Sequence, residues 1–241
     1  MLSAIGPLDE QRGFVYIGPM ELNPDTLDPA ERYKLLIGCI VPRPIAFVST
    51  ISPDGAPNLA PFSFFTGIGS DPMTLLFCPG RRPDVDAEKD TLRNCRPRDE
   101  DGTGEFVVNA AIEDYQQRVA AAAEPLDYGQ SEFDAVGLTA TPGVKVKPPR
   151  VAESPWAFEC ETMQIIRIDP ARADAGNVVI GRVVHVFVRD DVVNERMHVD
   201  PDTLRAIGRL GGQGYCTIRD RFEMRRGLGA LDESWKVESR E

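Results

Sequence analysis

No apolar run in the 241 residues is long enough to span a bilayer, so no transmembrane helix is expected. Histidine is scarce: His185 alternates with Val184 and Val186 as a strand residue does, and His198 falls in a charged loop. Neither sits in a catalytic or zinc-binding pattern. The five cysteines, Cys39, Cys78, Cys95, Cys160 and Cys216, are odd in number, scattered and without a C-x-x-C pair. That disfavours a disulfide framework and structural zinc, and suits a reducing cytoplasm. Basic residues are in deficit, 27 Lys and Arg against 38 Asp and Glu, and the net charge of -11 repels nucleic-acid phosphates and anionic membranes. Neither is an expected partner. Residues 1–13 lack the basic start and apolar stretch of a secretion signal. Also missing are a G-x-G-x-x-G after a strand, a Walker loop, H-E-x-x-H and G-x-S-x-G, and no carboxylate pair stands out. Chemistry resting on protein acids and bases has no visible apparatus here, whereas chemistry carried by a bound cofactor needs none.

What is present describes a β-rich domain. Hydrophobic residues at 42% and charged residues at 27% fit a globular chain, and 21 Gly with 20 Pro imply many turns. An N-terminal arm over residues 1–30, one domain over 31–226 and a tail over 227–241 are the natural divisions. Asp28 or Asp25 caps a short helix reaching Ile37, with Pro29 at its first position and Gly38 as its stop. Residues 45–51 are β-branched and aromatic, and the turn Ser52-Pro53-Asp54-Gly55 joins them to a second extended segment over 58–67. Residues 74–78 and 105–111 read as buried strands around a polar stretch, 79–104. Residues 114–124 read as the strongest helix, with Asp114 as cap. Residues 158–168 and 178–188 form the longest strands, paired as a hairpin; a helical turn at 202–205 and a strand at 215–218 follow. Many strands with few helices argue for an antiparallel barrel with helices at its ends, against a Rossmann sheet.

Three clusters carry the candidate chemistry. In the first, Ser49, Thr50, Asn58 and Ser63 bring short polar groups beside an apolar wall of Pro61, Phe62 and Phe64. This suits a flat heteroaromatic ring, although an ordinary hairpin with solvent-facing hydroxyls fits the composition as well. The second is Lys89-Asp90-Thr91 with Arg81, Arg82, Arg93, Arg96 and Arg98, a basic concentration in an acidic chain. It suits a phosphate, while the interleaved Asp84, Asp86, Glu88 and Asp90 favour a solvated charged loop. The third, Ile207-Gly208-Arg209-Leu210-Gly211-Gly212-Gln213-Gly214-Tyr215, permits close backbone approach or simply a glycine turn.

Taken in order, Pro42-Arg43-Pro44-Ile45-Ala46 with Val48-Ser49-Thr50, Asn58-Leu59-Ala60-Pro61-Phe62-Ser63-Phe64-Phe65, Lys89-Asp90-Thr91, Glu105-Phe106-Val107-Val108-Asn109, Ser131-Glu132-Phe133 with Gly137-Leu138-Thr139, and Ile207-Gly208-Arg209-Leu210-Gly211-Gly212 resemble the flavin reductase-like FMN-binding split-barrel family. That family includes the reductase component of nitrilotriacetate monooxygenase. The resemblance covers about residues 33–224. It implies a mainly β fold with flanking helices, a six-stranded antiparallel Greek-key split barrel that forms a homodimer and holds FMN in a groove near the subunit interface. By the same resemblance Ser49, Thr50, Lys89 and Thr91, with Asp90 in the same motif, hold the phosphate. Asn58, Ala60, Pro61, Phe62 and Ser63 line the isoalloxazine, and Arg43 and Arg209 touch the phosphate or the open face. It implies an NAD(P)H-dependent flavin reductase that takes hydride from NADH or NADPH and supplies reduced flavin to an acceptor or monooxygenase partner. A flavoredoxin-like electron carrier and a non-enzymatic flavin-binding module are the alternatives. No catalytic protein residue is expected, because hydride moves between rings. Two departures stand out: Asp86-Ala87-Glu88 is acidic for a phosphate's surroundings, and residues 96–104 look inserted.

Overall fold

A computed structural model describes residues 19–82, 87–172 and 175–231. The first part of the expected arm, the acidic Asp84 and Asp86, and most of the expected tail lie outside the described residues. The chain enters through helix α1 (Pro29–Cys39), whose start follows its sequence closely. Asp28 accepts the Glu31 N–H at 2.7 Å while Glu31 accepts the Asp28 N–H at 3.0 Å, with Pro29 at the first position. Gly38 does not stop the helix. The Arg43 guanidinium donates to the carbonyls of Ile37 and Ile40, serving end groups that a left-handed glycine would otherwise serve.

Strands β1 (Ala46–Ile51), β2 (Pro57–Phe62), β3 (Phe65–Ser70), β4 (Met73–Phe77), β7 (Glu105–Asn109), β10 (Trp156–Arg167) and β11 (Asn177–Val188) make one antiparallel sheet in the order β2-β1-β7-β10-β11-β4-β3. Three small two-stranded ladders accompany it: β5 (Arg81–Arg82) with β6 (Ala87–Glu88), β8 (Ala140–Thr141) with β9 (Arg150–Val151), and β12 (Ile207–Arg209) with β13 (Tyr215–Thr217). The large sheet has seven strands, not six, because the segment expected as one strand over 58–67 breaks at Ser63-Phe64. Ser63 is held by Arg43, and the Phe64 carbonyl accepts the Cys78 N–H at 2.9 Å, so the backbone leaves β1 and joins β4. Strands β2 and β3 are then opposite edges of the sheet joined by two residues. Three Cα steps span at most about 11 Å, so the sheet must curl until its edges nearly meet.

The core lies on both sides of β1. Ala46 and Val48 pack inside with Phe62, Phe77, Phe106, Val108 and Val179, while Phe47 packs outside with Leu59, Tyr115, Val119 and Phe133. Burial on both faces explains the unbroken apolar run in the sequence. The outer layer is built by α3 (Gln116–Ala121) and α4 (Glu132–Val136). The helix expected over 114–124 is a 3-10 turn, Glu113–Tyr115, followed by α3, and Asp114 is not its cap. That carboxylate accepts from Arg205 Nη1 at 2.8 Å. The polar stretch 79–104 hides a helix, α2 (Asp90–Cys95), and α5 (Pro201–Leu204) supplies the expected helical turn. No helix among the described residues is long and apolar enough to cross a membrane.

Candidate functional site

Helix α2 is fastened to the first hairpin by a buried polar network. Asn58 Nδ2 donates to Thr50 Oγ1 at 3.1 Å and to Thr91 Oγ1 at 3.0 Å, and Asn94 Nδ2 donates to Thr50 Oγ1 at 3.0 Å. All four side chains are buried, so the network is worth keeping intact: a buried polar group left without its partner costs about 1–3 kcal/mol. Thus Thr50, Asn58 and Thr91 come together, and the segment around residue 89 sits against β1 and β2. Ser49 is equally buried but faces elsewhere, donating to the Pro149 carbonyl at 2.5 Å and accepting from Asn109 Nδ2 at 3.2 Å. The hydroxyls of Ser49, Thr50 and Thr91 all have protein partners.

Above this frame runs the edge of β2. The Leu59 N–H points away from β1 and donates to Glu132 Oε2 at 2.9 Å. Strand alternation puts positions 57 and 61 on that same outward side, and both are proline, so no ladder N–H is lost. Ala60, Pro61, Ser63 and Phe64 are half-buried along this edge, and Lys89 Nζ lies 5.7 Å from the centre of the Phe62 ring. A cation therefore stands beside the strip. Glu88, the acidic neighbour, turns to Arg167 at 3.2 Å and Arg96 at 3.8 Å; Arg98 pairs with Glu105, and Arg93 lies 3.9 Å from the centre of the Tyr128 ring.

Arg43 and Arg209 form a separate group. Their backbones exchange hydrogen bonds at 2.9 and 2.8 Å, which seats the glycine loop on the start of β1. Arg43 is 4% exposed; it donates to the carbonyls of Ile37, Ile40 and Leu210 and to Ser63 Oγ at 3.2 Å. Arg209 donates to the Gly214 carbonyl at 3.0 Å and lies over Tyr215. The close approach needs glycine at position 208, where a Cβ would meet Cys216 Sγ at 3.0 Å and Pro42 Cβ at 3.2 Å. Asp90 opens α2 beside Lys89.

Glu132 is the buried carboxyl nearest this surface. Burial pushes it above the usual carboxylate range, the Leu59 N–H pulls it back, and Asp90 and Lys89 act in opposite directions. Two cavities lie elsewhere: one of about 340 Å³ among Glu113, Asp202, Arg205, Arg219 and Arg221, and one of about 230 Å³ among Glu88, Arg167, Asp169 and Arg172. Neither includes the β2 edge.

The family model described as "Flavin reductase like domain" matches residues 37–207, more than half of the chain. This chain belongs to the flavin reductase-like family. An uncharacterised protein of Halalkalibacterium halodurans is 39% identical over 208 residues, covering 86% of this chain and 96% of its own. The structure of nitrilotriacetate monooxygenase component B from Bacillus cereus is similar at a TM-score of 0.79 and 29% identity, over 86% of this chain and 99% of that one. That of the 2-nitrobenzoate 2-nitroreductase of Pseudomonas fluorescens reaches 0.75 and 29%, over 87% and 97%. A flavin reductase-like split barrel with flanking helices is thus the fold, and a flavin-related oxidoreductase the broad class. Within this family member, the sequence-level reading had no role for Asn94, Tyr128 or Glu132. Asn94 and Glu132 lie inside or beside motifs that carried the resemblance; Tyr128 lies in a loop with no motif and gave no signal.

Proposed function

We propose that this chain is an NAD(P)H-dependent flavin reductase that binds FMN along the β2 edge as a homodimer. The observation that carries the reading is the buried network tying α2 to β1 and β2, since it holds the segment that begins at Lys89 beside β2. These groups fit FMN: Ala60, Pro61 and Ser63 offer a half-buried wall backed by the buried Phe62 ring, and Lys89 offers the charge a phosphate needs. Thr50, Asn58 and Thr91 hold the frame on which that surface is built; the two threonine hydroxyls accept in it and keep their own O–H for a phosphate oxygen, while Ser49 donates to the Pro149 carbonyl. Arg43 and Arg209 lock the glycine loop over the far end. When bound, FMN supplies the chemistry of accepting hydride from NADH or NADPH and passing it to an acceptor. The protein's own work is to exclude water from one ring face and to neutralise the phosphate, with no side chain required as a base.

Tyr33, Leu35, Leu36 and Ile40 on and just after α1, and Phe222, Met224 and Leu228 near the C-terminal end, are exposed apolar side chains that support the homodimer. The five free cysteines support a reducing cytoplasmic setting. Partners of the kind named for component B, a monooxygenase taking reduced flavin, fit the same reading. Anaerobic mixing of the FMN-loaded protein with NADH and with NADPH tests it. One of the two is expected to bleach the flavin's visible absorbance within seconds, and persistence of the colour with both would overturn the reductase assignment.

A further inference from the structure

A six-residue helix cannot hold itself in place, so whatever fixes α2 also fixes Lys89. Leu92 and Cys95 anchor it to the core, and the Asn94 carbonyl accepts the Thr103 N–H and hydroxyl at 2.8 and 3.0 Å. The remaining restraint comes from outside the matched motifs. Tyr128 donates its hydroxyl to Asn94 Oδ1 at 3.2 Å, and its ring lies flat enough beneath Arg93 to hold the guanidinium carbon 3.9 Å from its centre. Asn94 is 1% exposed and spends its Nδ2 on Thr50, so the amide bridges Tyr128 and the frame of the shelf. Lys89 caps the start of α2 in extended backbone, and its carbonyl accepts the Arg93 N–H at 3.0 Å, so the turn that carries Arg93 is tied to the Lys89 backbone.

We propose that Tyr128 is a positioning residue for the phosphate end of the flavin site, selecting FMN over phosphate-free riboflavin by way of Asn94 and Arg93. This rests on the flavin reading above. Tyr128 is 36% exposed and packs on α2 rather than on the β2 edge, so its influence reaches the cation end of the shelf and leaves the ring-bearing end alone. Losing the hydroxyl frees the Asn94 amide to turn and loosens the Thr50 link. Losing the ring as well releases Arg93.

The test is titration of wild type, Tyr128→Phe and Tyr128→Ala with FMN and with riboflavin, following quenching of flavin fluorescence. Wild type is expected to prefer FMN. Tyr128→Phe is expected to weaken FMN about three-fold and Tyr128→Ala about ten-fold, with riboflavin unchanged in both. If a wild-type preference for FMN survives in both variants, or if both ligands weaken together, Tyr128 does not position the phosphate end. If wild type binds the two ligands equally, the phosphate assignment itself fails, and this inference with it.

Discussion

At Gly181 on β11 a Cβ would stand 2.3 Å from Phe106 Cζ, and Phe106 is fully buried, so the ring would have to shift within the packed core. Gly181→Ala is therefore expected to destabilise the fold by about 1–3 kcal/mol, read as a lower urea midpoint with an unchanged slope. A midpoint equal to wild type would mean the ring is far more adaptable than its packing indicates. Glu132 makes a different kind of prediction. Its carboxyl is raised by burial above the usual value of 4.5, so the fold accommodates the neutral form better. The stability it contributes is complete below the usual value and is lost as pH rises through the raised one. Glu132→Gln keeps an oxygen for the Leu59 N–H and removes the titration. From about pH 5 to about pH 8 the wild-type urea midpoint should fall relative to the variant's; parallel profiles would show that the carboxyl is not felt by the fold.

Among the elements, the C-terminal strand β13 and the residues after it are pinned by charge. Glu113, whose side chain is 6% exposed, accepts from Arg219 and from Arg205 at 3.1 Å, and Arg221 pairs with Asp202 beside α5. The Arg219 hydrogen bond, followed by that of Arg205, overrides burial and holds Glu113 below the usual carboxylate range. A depressed carboxylate stabilises above its usual value and ceases to do so as pH falls through the lowered one. Glu113→Gln should speed amide exchange over Tyr215–Thr217 about three-fold at neutral pH, and wild type should approach the variant on acidification. Equal exchange at neutral pH would mean that the ion pairs do not pin the segment. The same element shows where sequence reading ran out. The long pair β10 and β11, the first hairpin and α1 were legible because turn residues, β-branched runs and caps all agreed. The 3-10 start before α3 was not, because Asp114 reads locally as a cap while Arg205, 91 residues away, claims it. The break in the segment over 58–67 was hidden for the same reason, since Arg43 and Cys78 impose it from outside the segment.

For the whole molecule, closure is what turns scattered motifs into one surface. Because β2 and β3 are opposite edges joined by two residues, the curled sheet leaves β2 as an edge strand beside the segment that carries Lys89. The residue types of that surface were readable from the sequence, but their division of labour was not. From sequence the hydroxyls at positions 49, 50 and 91 look alike, whereas in the fold Ser49 donates to the Pro149 carbonyl while Thr50 and Thr91 accept from Asn58. In the reading proposed above, the flavin lies along β2 with Lys89 beside it. A crystal structure of the protein with FMN tests that most directly. The ring is expected against Ala60, Pro61 and Ser63 with its phosphate at Lys89. Flavin bound instead among Arg205, Arg219 and Arg221, or a bare shelf at saturating FMN, would contradict it.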